Sequence, residues 1–225
     1  MTSEMFRRPY KYGRLHVQDR EIRIAHLQPG EGDNVIVIEL SHERLDDIAP
    51  YRALSWEWGD ASETATIFVM NKVKKNTQPR KEGDLGLLTV RRNLLAALQC
   101  LRGKEKEARL WVDAICIEQM VEGDDKNADT KNLEKSEQIL LMTQIYGKAE
   151  EVWIWLGEDR EGDNSAQAMG FIKKLFILQD MDIIAELKRG TYDVSDLIAF
   201  MKLLKRGWFG RRWIVQVPLL PPVSR

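Results

Sequence analysis

From Glu21 the chain alternates, with Ile22 and Ile24 on one side and Arg23 and Ala25 on the other, until Pro29-Gly30 turns it. Val35 to Ile38 is a β-branched run after Gly32-Asp33-Asn34, which predicts a second strand. Pro50 introduces a third, Tyr51-Arg-Ala-Leu-Ser-Trp56, stopped at Trp58-Gly59-Asp60. Thr64 to Met70 reads as a fourth, with Ile67 and Val69 on one face. Between Asn71 and Gly86 the residues are polar and lysine-rich, the pattern of an exposed loop.

Thr89 is placed to cap a helix whose stripe is Leu94, Leu95, Leu98 and Leu101, and Gly103 ends it. Leu110 to Ile117 is apolar without alternation, which predicts a strand buried on both faces. Ile139, Met142, Ile145, Tyr146 and Ala149 keep helical spacing, and Val152-Trp-Ile-Trp-Leu156 is the next strand. This β, α, β, α, β order predicts the α/β class, a central sheet flanked by helices. The last third reads as helical. One segment is capped near Asp163-Asn164-Ser165, with Met169, Ile172, Leu175 and Phe176 inward. Another is capped by Asp193, with the stripe Leu197, Ile198, Met201, Leu204 and Gly207 at its end.

Composition narrows the function classes. With 225 residues, 44% of them hydrophobic and 31% charged, the chain can build a sizeable core and is not of the disordered class. Its 34 Lys+Arg against 35 Asp+Glu leave a net charge of -1, so no global field recruits nucleic acid, and no nucleic-acid partner is expected. No apolar run is long enough for a membrane span, and no secretory h-region opens the chain. Two cysteines, Cys100 and Cys116, make no disulfide framework, which fits a reduced, cytoplasmic location.

The usual chemistry searches return little. His16, His26 and His42 are scattered and no cysteine has a ligand at metal spacing, so no metal site is expected. Neither a P-loop nor a Gly-x-Ser-x-Gly elbow is present. Cys116 lies in an apolar run without a base, which suits a structural thiol better than a nucleophile.

Three clusters remain. Ser55, Trp56, Trp58 and Gly59 sit at a strand end, where α/β sheets collect ligands; they suit a binding site or a tight turn anchored by tryptophans. Asp113, in an apolar run, implies either a site or a structural hydrogen bond, since an unpaired carboxylate there is costly. Arg212 and Trp213, beside Trp208-Phe209, suit either an anion or nucleotide contact or arginine stacking on tryptophan.

Several segments together carry a resemblance. Tyr51-Arg-Ala-Leu-Ser-Trp-Glu-Trp-Gly-Asp60, Leu110-Trp-Val-Asp-Ala-Ile-Cys-Ile-Glu-Gln119 and Glu134 to Tyr146 followed by Val152-Trp-Ile-Trp-Leu-Gly157 resemble, in order, three motifs of the fungal heterokaryon-incompatibility (HET) domain. Glu21 to Gly30 resembles that family's lead-in. The resemblance implies one domain over residues 10–217; by their own residues, 1–9 read as a flexible tail and 218–225 as an irregular one. It implies a mostly parallel sheet of TIR-like or flavodoxin-like type, with the helical C-terminal third appended.

It also implies an effector of self/non-self recognition and programmed cell death, working through self-association or with other cell-death signalling proteins. No cofactor is implied; by the TIR analogy NAD+ would enter as a substrate cleaved at the nicotinamide–ribose bond. A carboxylate would stabilise the oxocarbenium-like transition state. The family closes on Trp-x-x-Gln-Glu, whereas this chain has Trp213-Ile-Val-Gln216 and then Val217; Glu118 stands where the family has Asn. Without the closing glutamate, the acids left for catalysis are Glu134 and Asp113.

Overall fold

The computed structural model describes residues 8–70, 85–119, 128–159, 161–177, 189–190 and 193–211. A first compact unit runs to Trp155 and a second begins at Leu156. In the first unit the strands are β1 (Glu21–Leu27), β2 (Val37–Arg44), β3 (Arg52–Trp56), β4 (Thr64–Met70), β5 (Leu85–Arg91), β6 (Ala108–Trp111) and β7 (Glu151–Trp155). Its helices are α1 (Arg92–Leu101), the single turn α2 (Asp113–Cys116) and α3 (Ala128–Lys148). All seven strands form one sheet in the order β5-β4-β2-β1-β6-β3-β7.

The α/β class, the central sheet and the helical C-terminal third are as the sequence predicts. Among the described residues the pairing is mixed: β2–β4, β3–β6 and β3–β7 are parallel, while β1–β2, β1–β6 and β4–β5 are antiparallel. The run β6-β3-β7 is a parallel block, so three strands end on the same edge. β1 is buried on both faces and its neighbours supply much of the core, with Ile22, Ile24, Leu27, Ile38, Leu54, Trp56 and Trp111 all enclosed. That enclosure is the main driving force, since each such side chain contributes about 1.5–3 kcal/mol on leaving water.

Three elements differ from the expectation. The second strand begins at Val37 and runs on to Arg44, leaving Val35 exposed. Thr89 does not cap a helix: Leu85–Arg91 pairs antiparallel with β4 along its full length, and α1 starts only at Arg92. Thr89 and Val90 are β-branched, and a ready partner strand outweighs the capping signal. Leu110 to Ile117 is not one strand either. β6 stops at Trp111, and Asp113 opens the turn α2, its carboxylate accepting the Ala114 N–H at 2.8 Å.

At the other edge the chain is tied down from Arg8. Tyr10 N–H donates to Leu87 O and Leu87 N–H to Arg8 O, so strand pairing reaches into the stretch read as a tail. Gly86 makes this approach feasible, because a Cβ there would lie 2.8 Å from Tyr10 Cα.

The second unit contains α4 (Ser165–Ile177), α5 (Val194–Leu204) and a 3-10 turn at Gly207–Gly210. Asp193 caps α5 as predicted, accepting Ser195 N–H at 2.9 Å. The buried face of α5, however, is Asp196, Ala199 and Leu203, packed with Ala168 of α4. Leu197, Ile198, Met201 and Leu204 lie exposed, as does Met169 of α4. Two alanines, Ala168 and Ala199, lie in this contact beside Leu203. Arg206 joins the unit's ends, donating to Leu156 O, Gly157 O, Glu158 O, Asp163 and Ser165 Oγ.

Candidate functional site

The parallel block fixes where the motif residues gather. Trp56 and Trp155 are register partners at the ends of β3 and β7, while β6 ends earlier, at Trp111 opposite Ala53, and leads on to Asp113. Beyond these ends the chain turns sharply at Gly59, whose φ of +70° belongs to the left-handed region that favours glycine. The turn stacks Trp58 on Trp56, with ring centroids 5.8 Å apart and planes 13° from parallel.

Asp113 closes this cluster. Its Oδ1 accepts Trp56 Nε1–H at 2.7 Å and its Oδ2 accepts Trp58 Nε1–H at 3.0 Å. With the Ala114 N–H, three donors from two elements converge on one buried carboxylate. The carboxylate thus has the hydrogen bonds that one of its two sequence readings called for, from a backbone N–H and two indoles. Gln119 adds to the clasp, donating to Asp113 O and Ile117 O. Ser55 is buried within β3, facing Ile154 of β7, and offers no open surface.

Asn93, which the sequence did not single out, does the matching work on the other side. Its side chain donates to Glu57 O at 2.6 Å and accepts Trp155 Nε1–H at 2.9 Å, so α1 is tied to the ends of β3 and β7.

Glu134 lies elsewhere in the same unit, on α3. It meets Arg23 of β1 in a two-pronged pair, Nη1 to Oε1 at 2.7 Å and Nη2 to Oε2 at 2.9 Å. Arg23 is completely enclosed; it also donates to Cys116 O at 3.0 Å and Gly13 O at 2.7 Å, and lies 4.8 Å over the Tyr12 ring. One guanidinium therefore joins the N-terminal strap, β1, α2 and α3. Tyr12 reinforces it, its hydroxyl donating to Ile115 O at 2.9 Å. Arg23 too escaped the sequence reading. The available signal was a lone charge in Ile22-Arg-Ile-Ala, on a strand whose two faces are both buried.

Asp113 and Glu134 thus each have donors of their own on both carboxylate oxygens, the two indoles and Ala114 N–H on one, Arg23 and the Glu118 N–H on the other. Arg212 and Trp213 lie outside the described residues. Of their neighbours, Trp208 is buried and meets Phe209 edge-on at 5.0 Å. Among the described residues no group of three or more His, Cys, Asp or Glu could hold a metal ion. No described helix is long and apolar enough to cross a membrane.

Cys116 is fully buried, and burial pushes its thiol up to about 12, against the N–H bond from Val112 and the Arg23 charge that favour the thiolate. A thiol so protonated is a poor nucleophile near neutral pH. Cys100 is exposed. Native protein is expected to label one thiol rapidly with a chromogenic disulfide reagent, and two after denaturation; rapid labelling of both in the native state would contradict this burial.

The motif order now has a structural counterpart: strand β3 with its tryptophan turn, strand β6 with Asp113, and α3 leading into β7. Residues 51–216 match the sequence pattern of the heterokaryon incompatibility protein (HET) family. The chain belongs to the HET family. It is 28% identical over 194 residues to heterokaryon incompatibility protein 6, OR allele, of Neurospora crassa, a match covering 74% of this chain and 27% of that protein. The chain therefore spans about a quarter of the length of that relative. No solved structure matches it. The HET match begins at Tyr51, whose hydroxyl donates to Ile145 O, while Tyr146 donates to Leu54 O. These bonds make the first and third HET motifs one packed assembly.

Proposed function

We propose that this HET chain acts in fungal incompatibility as a signalling module that triggers cell death through association with copies of itself or with other death-signalling proteins, without catalysis of its own. One observation carries the reading: the motif residues a catalyst would need, Asp113 and Glu134, each spend their carboxylate on internal donors. A group that stabilises an oxocarbenium-like transition state must face the substrate, and a carboxylate turned to buried internal donors is poorly placed to do so. Membership of the HET family supports the incompatibility role, and the name of the Neurospora relative agrees with it.

Two measurements test the proposal together. Purified full chain, and a Val217→Glu version restoring the family's closing residue, are incubated with NAD+ over a range of protein concentrations. Both are expected to leave NAD+ intact. In parallel, expression of the wild-type chain in fungal cells is expected to cause death. Release of nicotinamide by the wild-type chain would establish the alternative, a TIR-like NAD+ hydrolase. Release by the Val217→Glu version alone would mark the chain as a disabled copy of such an enzyme.

A further inference from the structure

Helix α5 has two apolar sides, and among the described residues one of them packs against α4 while the other is exposed. Ala199 and Leu203 pack against α4, with Asp196 held between Gln167 and Lys174 at 2.8 and 3.0 Å. The other side carries Val194, Leu197, Met201 and Leu204, spaced three, four and three residues apart, with Ile198 beside them. Their exposures are 70, 38, 50 and 36%, and 53% for Ile198. This is the spacing of an a/d seam, and a helix apolar on both sides is normally covered on both.

The charges indicate what covers it. Within the helix, Lys202 is directed aside, its Nζ donating to Gly162 O at 2.7 Å, and Asp196 is buried. The remaining charges flank the seam: Asp193 is exposed immediately before Val194, and Lys205 is exposed immediately after Leu204. A seam with an acid at its start and a base at its end is complementary to itself in the antiparallel sense.

We infer that a second copy of this chain docks on α5, the two helices lying antiparallel about a local two-fold axis. Val194 then meets Leu204 of the second copy, Leu197 meets Met201, and Asp193 meets Lys205, each contact occurring twice as an isologous interface requires. The antiparallel sense also sets the positive end of each helix dipole beside the negative end of the other. A parallel pair would instead place Asp193 against Asp193 and Lys205 against Lys205. The seam is short, about 16 Å for 11 residues at 1.5 Å each. A contact of three turns from each copy is small beside a standard stable interface, so pairing is expected to be weak and set by local concentration. The inference names the surface for the self-association proposed above and rests on that reading.

Sedimentation equilibrium of the full chain, from about 1 μM to about 1 mM where weak pairs are half-associated, is the first measurement. The wild-type chain is expected to dimerise reversibly. Leu197→Lys/Met201→Lys is expected to weaken dimerisation at least about tenfold with its thermal midpoint little changed, since both positions are exposed. In a Cys100→Ser background, mixing Leu197→Cys protein with Met201→Cys protein is expected to give the mixed disulfide dimer faster than either gives its own. Faster like-with-like disulfides would overturn the antiparallel arrangement. A dimer indifferent to Leu197→Lys/Met201→Lys would overturn this surface while leaving self-association standing. A wild-type chain monomeric throughout would overturn both.

Discussion

Arg23→Met is expected to lower the unfolding free energy by about 3–5 kcal/mol, the range for removing one partner of a buried ion pair. The substitution keeps much of the stem's volume but leaves the Glu134 carboxylate enclosed with no cation beside it, and removes the donor to Cys116 O and Gly13 O. For a chain of this size each kcal/mol moves the thermal midpoint by about 2–4 °C, so a fall of about 6–20 °C is expected. Urea denaturation followed by tryptophan fluorescence checks it. The companion variant Arg23→Met/Glu134→Leu is expected to recover much of the loss, because exchanging a whole buried pair for apolar groups is often close to neutral. Recovery stays incomplete, since the buried Cys116 carbonyl still lacks its donor and a buried unsatisfied group costs about 1–3 kcal/mol. A single variant within about 1 kcal/mol of wild type, the level of exposed pairs, would show that the pair contributes no more than a surface one.

What the sequence reveals and what it hides follow from the range of each interaction. β1, β4, α1 and most of the core face of α3 are legible because period-2 and period-3.6 patterns are local properties of the chain, though Ile139 of the expected α3 stripe is exposed. β3 and β7 are legible as short bounded apolar and aromatic runs. β5 is not, because β-branched Thr89 and Val90 are a weak signal beside the capping one, and pairing with β4 is what decides for the strand. The exposed side of α5 misleads for a related reason. Its larger apolar residues look like the core stripe, yet Ala199 and Leu203 take the contact with α4. Of the site, the motif positions are legible and their partners are not. Asp113 stands out by its apolar context, whereas Asn93, 20 residues earlier in the chain, is an ordinary polar residue until the fold sets it between Glu57 and Trp155. Arg23 and Glu134 are separated by 111 residues, and only three-dimensional packing joins them.

Asp113→Asn is the change on which scaffold and catalyst part company. The carboxylate presents an acceptor to each indole, Oδ1 to Trp56 and Oδ2 to Trp58. Asparagine keeps one acceptor and puts an N–H2 group in the other place, so one indole N–H meets a donor instead of an acceptor. That mismatch is expected to cost about 1–3 kcal/mol, and Asp113→Ala, which strands both indoles, more. A catalytic carboxylate would behave differently: the amide would abolish turnover and leave stability intact. The cost is assigned to the indoles by a double-mutant cycle. Trp58→Phe removes one N–H while keeping an aromatic ring against Trp56, so in that background Asp113→Asn is expected to cost at least about 1 kcal/mol less. Near-ultraviolet circular dichroism follows the same geometry, because the stacked pair at 5.8 Å gives a tryptophan signal that weakens as the clasp opens. Full stability in Asp113→Asn, with no coupling to Trp58→Phe, would free the carboxylate for chemistry and reverse the assignment of this strand end as a clasp. A stability loss that shrinks with Trp58→Phe means that this HET motif keeps its aspartate to close the turn after β3 on the end of β6.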